Sequence, residues 1–147
     1  MANKYKIIKM LVDATSYADA SYQILKWSQP NTGKYVCVSN VHMCMETYDN
    51  PDFCKIVNNA DLVVPDGKPL VWAQRLLGEK AASQVRGSDL VLTVCKQAEK
   101  NNIPVGLYGS SEKSLNGFIV FLNEKFKNLK IDFSSSPPFR KLTLSHT

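Results

Sequence analysis

The sequence contains no Cys-x-x-Cys pair and only two histidines, His42 and His146, so no standard zinc spacing can be assembled from it. Its four cysteines, Cys37, Cys44, Cys54 and Cys95, are separated by 7, 10 and 41 positions, and three of them lie inside apolar runs. They read as small buried thiols rather than a disulfide framework. No run approaches the ~18 apolar residues that a membrane span needs. The start of the chain is basic, but the apolar stretch at residues 7–12 is interrupted by Lys9, too short and polar for a signal peptide. Seven Gly and seven Pro in 147 residues exclude collagen-like and low-complexity chains, and 44% hydrophobic content excludes a solvated coil. The expectation is one soluble, cytoplasmic domain over residues 1–147.

Charge is modest and uneven. The net charge is +5; residues 1–95 carry 10 Lys+Arg against 9 Asp+Glu, and residues 96–147 carry 8 against 4. Nucleic-acid grooves carry denser Arg interleaved with aromatics, so no nucleic-acid partner is expected. A basic face toward solvent, an anionic ligand or a membrane surface fits the excess better.

Apolar runs alternate with helical stretches. Residues 7–12 read as a strand, and Ser16-Tyr17-Ala18-Asp19 as a capping box opening a helix to Trp27. A turn cluster at residues 29–33 precedes a strand at 35–39. Helices are expected at 41–48 and 51–58, a strand at 61–65, and a helix at 69–77 stopped by Gly78. A helix from Ser88 to Lys100, a strand at 104–108, a long helix to Phe126 and a strand at 130–133 follow. In the long helix Leu115, Phe118, Ile119 and Leu122 share one face. This alternation predicts an α/β, Rossmann-like parallel sheet with helices on both faces. Pro137-Pro138 cannot pair as a central strand, which leaves the C-terminal edge of that sheet open and self-association expected.

Ligands of open α/β sheets bind beyond the carboxyl ends of the strands. Three such ends carry suggestive residues: Asn40, Asp66-Gly67 and Gly109-Ser110-Ser111. Asp66 could accept a proton from a substrate hydroxyl, although Asp-Gly is also a common turn pair. Gly109, Ser110 and Ser111 could cradle a phosphate with backbone N–H groups, or simply cap a helix. Asn40 equally suits a helix N-cap. Arg86 could pair with phosphate or with Asp89, and His42 reads as a half-buried helical residue. The segment Gly106-Leu107-Tyr108-Gly109 lacks the Gly-x-Gly-x-x-Gly spacing, which counts against a dinucleotide oxidoreductase. A non-catalytic nucleotide-binding Rossmann module stays open as an alternative.

The order of these motifs is more telling than any one of them. Ser39-Asn40-Val41-His42-Met43, Asn59-Ala60-Asp61-Leu62-Val63-Val64-Pro65-Asp66-Gly67, Val71-Trp72-Ala73-Gln74-Arg75-Leu76-Leu77-Gly78, Val85-Arg86-Gly87-Ser88-Asp89-Leu90, Gly106-Leu107-Tyr108-Gly109 and Pro137-Pro138-Phe139-Arg140 follow one another. In that order they closely resemble the WecG/TagA/CpsF glycosyltransferase family, from about Lys6 to Thr143. The resemblance implies an inverting transfer of an N-acetylhexosamine-type sugar from a UDP donor to a polyprenyl-diphosphate-linked glycan, at the inner face of the plasma membrane, in surface-polymer synthesis. It implies Asp66 as catalytic base with Arg86 beside it. Asn40, Gly67, Gly109, Ser110 and Ser111 would bind the donor, and neither a metal nor another cofactor is implied. The chain departs from the family where Val38 replaces the Thr of Thr-x-Asn; Ser39 cannot substitute, because adjacent strand residues point to opposite faces. The family's domain continues past Pro-Pro-Phe, so these residues are expected to form its N-terminal part.

Overall fold

The computed structural model describes residues 3–28 and 33–140. Residues 29–32 of the turn cluster expected at 29–33, His146 and the rest of 141–147 lie outside the described residues. The chain divides into two units, residues up to 94 and residues from 95.

The first unit opens with β1 (Lys4–Ile7) and β2 (Met10–Asp13), an antiparallel hairpin. The sequence predicts one strand over residues 7–12 there. Instead, the chain reverses at Ile8 and Lys9, with Ile8 at φ 57°. A β-branched residue is costly in the left-handed region, so nothing in its type announces a turn. The turn is held by its neighbours: Asn58 Nδ2 donates to the Lys9 carbonyl at 2.9 Å, Asn58 Oδ1 accepts from Leu11 N–H at 2.8 Å, and Lys9 Nζ donates to the Tyr48 carbonyl at 3.1 Å.

After α1 (Tyr17–Trp27), capped by Ser16, the chain runs through β3 (Val36–Ser39), α2 (Val41–Asp49), α3 (Pro51–Asn58) and β4 (Leu62–Pro65). β3 and β4 pair in parallel, Val36 opposite Leu62 and Ser39 opposite Pro65. Every β4 residue is buried, as expected of an apolar strand covered on both faces. Val63 packs with Met10, Val12, Cys44, Val57 and Leu70, while Val64 packs with Ala20, Val85 and Leu90. Asp13, 2% exposed, ties the hairpin to β4: its Oδ2 accepts from Val63 N–H at 2.7 Å and from Lys4 Nζ at 3.0 Å. α4 (Lys68–Leu76) follows β4, and Gly78 at φ 104° ends it. α5 (Gly87–Lys100) begins in this unit.

In the second unit β5 (Val105–Tyr108), α6 (Glu112–Lys125) and β6 (Ile131–Ser135) form a strand–helix–strand unit, with β5 and β6 parallel. Leu115 and Leu122 of α6 are buried, with Phe126 and Leu129, and Phe118 and Ile119 are partly so, the face expected from their spacing. The fold is α/β and Rossmann-like, its described strands pairing as two parallel couples and one hairpin. All four cysteines are free; burial pushes the Cys37, Cys44 and Cys95 thiols above their ordinary pKa.

Candidate functional site

Two strand ends meet in the first unit. β3 ends at Ser39 and β4 at Pro65, and Asp66 N–H donates to the Ser39 carbonyl at 2.8 Å. Each strand turns directly into a helix. Asn40 caps α2, its Oδ1 accepting from Met43 N–H at 2.9 Å, and Gly67 caps α4 without a side chain. A Cβ built on Gly67 would lie 4.0 Å from the Asn40 Cα, so the two helix starts are neighbours. The Asn40 oxygen therefore serves the helix, and the residue itself is exposed.

Asp66 sits half-buried between these starts and the loop before α5. That loop is drawn alongside β4 because Val85 N–H donates to the Pro65 carbonyl at 2.8 Å, and Gln84 Nε2 donates to the Asp66 carbonyl at 3.0 Å. As a result Gly87 N–H reaches Asp66 Oδ2 at 3.2 Å. One carboxylate oxygen is thus held at the start of α5, where the helix dipole favours negative charge, and the other has no protein donor among the described residues.

Gly87 fits this place because it lacks a side chain. A Cβ there would stand 3.0 Å from Val38 Cγ1 and 3.4 Å from Asp66 Oδ2. Val38 thus lines the carboxylate's surroundings, whereas Ser39 is fully buried and donates to Met43 Sδ at 2.9 Å. The two residues do face opposite ways, as strand alternation requires.

Arg86 is exposed and next to Gly87, yet the ion pair with Asp89 weighed from sequence does not form. Asp89 Oδ2 accepts instead from the Tyr17 hydroxyl at 3.3 Å, and the same hydroxyl accepts from Arg86 N–H at 2.9 Å. Tyr17 of α1 therefore fixes the loop, and among the described residues the Arg86 guanidinium makes no ion pair. Sequence reasoning gave no site role to Tyr17, to Gln84 or to Gly87, although Gly87 stands inside the quoted motif at residues 85–90. Tyr17 stood in a capping box that explained it already, and Gln84 carries no motif signal. His42 is exposed on α2, 3.9 Å from Glu46, rather than half-buried.

Gly109, Ser110 and Ser111 belong to the second unit, at the carboxyl end of β5. Gly109 has φ 118° and Ser110 φ 63°, so the chain makes a left-handed bend before α6. Gly109 N–H donates to the Ser135 carbonyl at 2.9 Å, and Ser136 Oγ to the Ser110 carbonyl at 2.7 Å. Ser111 caps α6 by accepting from Ser114 N–H at 3.3 Å. The N–H groups of Ser110, Ser111 and Glu112 have no protein acceptor among the described residues. They border an open cleft between residues 108–112 and 136–140, with Arg140 on its wall. Unfilled donors at a helix start beside a cation suit an anion. Among the described residues no three His, Cys, Asp or Glu side chains come together in a way that could hold a metal ion.

Comparison with known proteins agrees with the order of motifs. The family model described as "Glycosyl transferase WecG/TagA/CpsF family" matches residues 5–145. An N-acetylglucosaminyldiphosphoundecaprenol N-acetyl-beta-D-mannosaminyltransferase of Bacillus spizizenii is 23% identical over 120 residues, 82% of this chain and 47% of the relative. The protein of the same name from Bacillus subtilis (strain 168) is 21% identical over 117 residues, 80% of this chain and 45% of the relative. The chain thus spans about half the length of the curated relatives it matches. With a family model matched from β1 past the second unit's cleft, the chain belongs to the WecG/TagA/CpsF glycosyl transferase family.

Proposed function

We propose that this chain serves transfer of an N-acetylhexosamine-type sugar from a UDP donor to a polyprenyl-diphosphate-linked glycan, with Asp66 as general base. The observation that carries the reading is the half-held carboxylate at the end of β4. Gly87 N–H fixes Asp66 Oδ2 at 3.2 Å, and the remaining oxygen is open to an incoming hydroxyl. Asp66 takes the acceptor proton as that oxygen attacks the anomeric carbon; the bond to the UDP oxygen breaks, and UDP leaves with the electron pair. Attack from the face opposite the leaving group inverts the anomeric centre. The relatives' names specify a β-linked mannosaminyl product, which an α-linked nucleotide sugar yields by inversion.

Arg86, unpaired among the described residues, is assigned to negative charge on the donor, and the exposed Asn40 amide to a donor hydroxyl. In the second unit the free N–H groups at residues 110–112 are assigned to diphosphate. Preorganised donors of this kind contribute about 10²–10³ each in rate. The non-catalytic alternative is favoured by one observation: the Asp66–Gly87 bond would also serve as a plain helix cap. The two readings separate in one assay, incubation with a panel of UDP-N-acetylhexosamines and a lipid-diphosphate-linked N-acetylglucosamine. Release of UDP with formation of a β-linked disaccharide supports transfer. UDP binding with no product from any donor contradicts it.

A further inference from the structure

α4 is apolar on the side where a surface helix is ordinarily charged. Leu70, Val71 and Gln74 face inward and are buried, yet Trp72 and Leu76, four residues apart on the outward side, are 57% and 89% exposed. Leu77, which ends the helix, is 53% exposed. Single exposed apolar residues are ordinary; an outward Trp–Leu pair continued by a second Leu is a patch.

The charges around this patch have one sign. Residues 68–80 contain Lys68, Arg75 and Lys80 against one carboxylate, Glu79. Glu79 is engaged within the fold, accepting from the Tyr5 hydroxyl at 2.8 Å and from Ala81 N–H at 3.3 Å. The bond that Tyr5 donates to Glu79, then burial and the Glu79 charge, raise the Tyr5 pKa. Arg75 is pinned on the flank by two bonds to the Ala82 carbonyl, at 3.2 and 2.9 Å. Among the described residues the ammonium groups of Lys68 and Lys80 have no anionic partner.

We propose that the outward face of α4 docks on the surface of an anionic lipid bilayer, with Trp72 and Leu76 entering the headgroup boundary. An indole suits that depth because its body is apolar and its N–H polar. Lys68, Arg75 and Lys80 then meet anionic headgroups, the charge complement of this face. No helix among the described residues is long and apolar enough to cross a membrane, so the contact is peripheral. α4 starts directly after Asp66-Gly67, so its first turn, with Lys68, follows the strand end assigned to the acceptor hydroxyl. The inference rests on the transfer reading only in that a polyprenyl-linked acceptor resides in a bilayer.

The test is co-sedimentation of the 147-residue chain with phosphatidylcholine vesicles, with and without phosphatidylglycerol. Association is expected with the anionic vesicles and should weaken with salt. Trp72→Ser with Leu76→Ser should lower the partition coefficient at least ~10-fold, and Lys68→Gln with Lys80→Gln about 10-fold on anionic vesicles alone. Should the first pair disturb folding, brominated lipids read the contact directly, because Trp72 fluorescence in a Trp27→Phe chain should be quenched. A chain that ignores anionic vesicles, an unquenched Trp72, or a patch that drives self-association without lipid and binds no vesicle would overturn the proposal. Vesicle binding needs neither donor nor acceptor. Its failure therefore leaves the transfer reading standing, and a failed transfer assay leaves this one standing.

Discussion

Replacing Gly87 with Ala should separate the stability of the first unit from its chemistry. The added methyl would lie 3.0 Å from Val38 Cγ1 and 3.4 Å from Asp66 Oδ2. Apolar carbons rest about 3.5–4.0 Å apart, so Val38 must retreat by roughly 0.5 Å or more. Val38 is 38% exposed and has room to turn, at about 0.5–1.5 kcal/mol for leaving its rotamer well. Ala restricts the unfolded chain and offsets about 0.4–1 kcal/mol of this. Gly87 does not occupy the left-handed region, so no backbone strain is added. Net stability should therefore change by less than about 1 kcal/mol. The carboxylate is less tolerant, because its oxygen must move from the 3.2 Å bond to Gly87 N–H. Misplacing a reacting group by about 1 Å costs on the order of 10²-fold in rate, and a smaller displacement here should cost about 10-fold. The assay pairs thermal melting with transfer rates for Gly87→Ala, Val38→Ala and the double variant. The double variant should recover most of the lost rate, since removing the Val38 methyls vacates the contact. Strictly additive losses would refute the steric argument.

Three further outcomes rest on backbone and ion-pair geometry. Ile8→Gly should stabilise the chain by about 0.5–1 kcal/mol in urea unfolding, because glycine accepts φ 57° without the side-chain clash; a loss would mean that the Ile8 side chain matters more than its backbone. Lys34, donating to Asp61 at 2.8 Å, and Tyr35 N–H hold the Asp61 carboxyl below its ordinary 3.8. A depressed folded pKa stabilises above the unfolded value and loses that contribution as pH falls through the folded one. Lys34→Met should therefore flatten the acid limb of stability against pH, and an unchanged limb would contradict the pairing. Gly109→Val should lower the preference for UDP over uridine in titration calorimetry, because Gly109 sits at φ 118° and a branched side chain strains the 109–111 bend; equal affinities in the parent chain would show the loop to be a helix cap alone.

Much of the fold could be read from apolar periodicity and punctuation. β4 was legible because an unbroken apolar run ends in Pro65-Asp66-Gly67, and α6 because its buried face repeats at helical spacing. The hairpin was not, since its reversal rests on Asn58 and Tyr48, about 40 to 50 residues distant in sequence, rather than on any local turn residue. The parallel pairing of β3 with β4 and of β5 with β6 follows from the strand–helix alternation, although alternation alone fixes element order and leaves the register of each pair to tertiary contacts. At the candidate site, motif order singles out Asp66, Arg86 and Asn40. What each touches was invisible: a tyrosine from α1, a glutamine carboxamide and one glycine N–H set the geometry. Backbone hydrogen bonds leave little trace in residue type, so those partners emerge only in the folded structure.

The central claim is that Asp66 removes the acceptor proton, and Asp66→Asn tests it with the smallest change of shape. The amide keeps an oxygen for Gly87 N–H and loses only the capacity to take a proton. Transfer from the UDP-sugar should fall at least ~10²-fold, the scale of a lost general base, with donor affinity and melting temperature close to those of the parent chain. Turnover within a few-fold of the parent would contradict the assignment and leave Asp66 as the cap of α5.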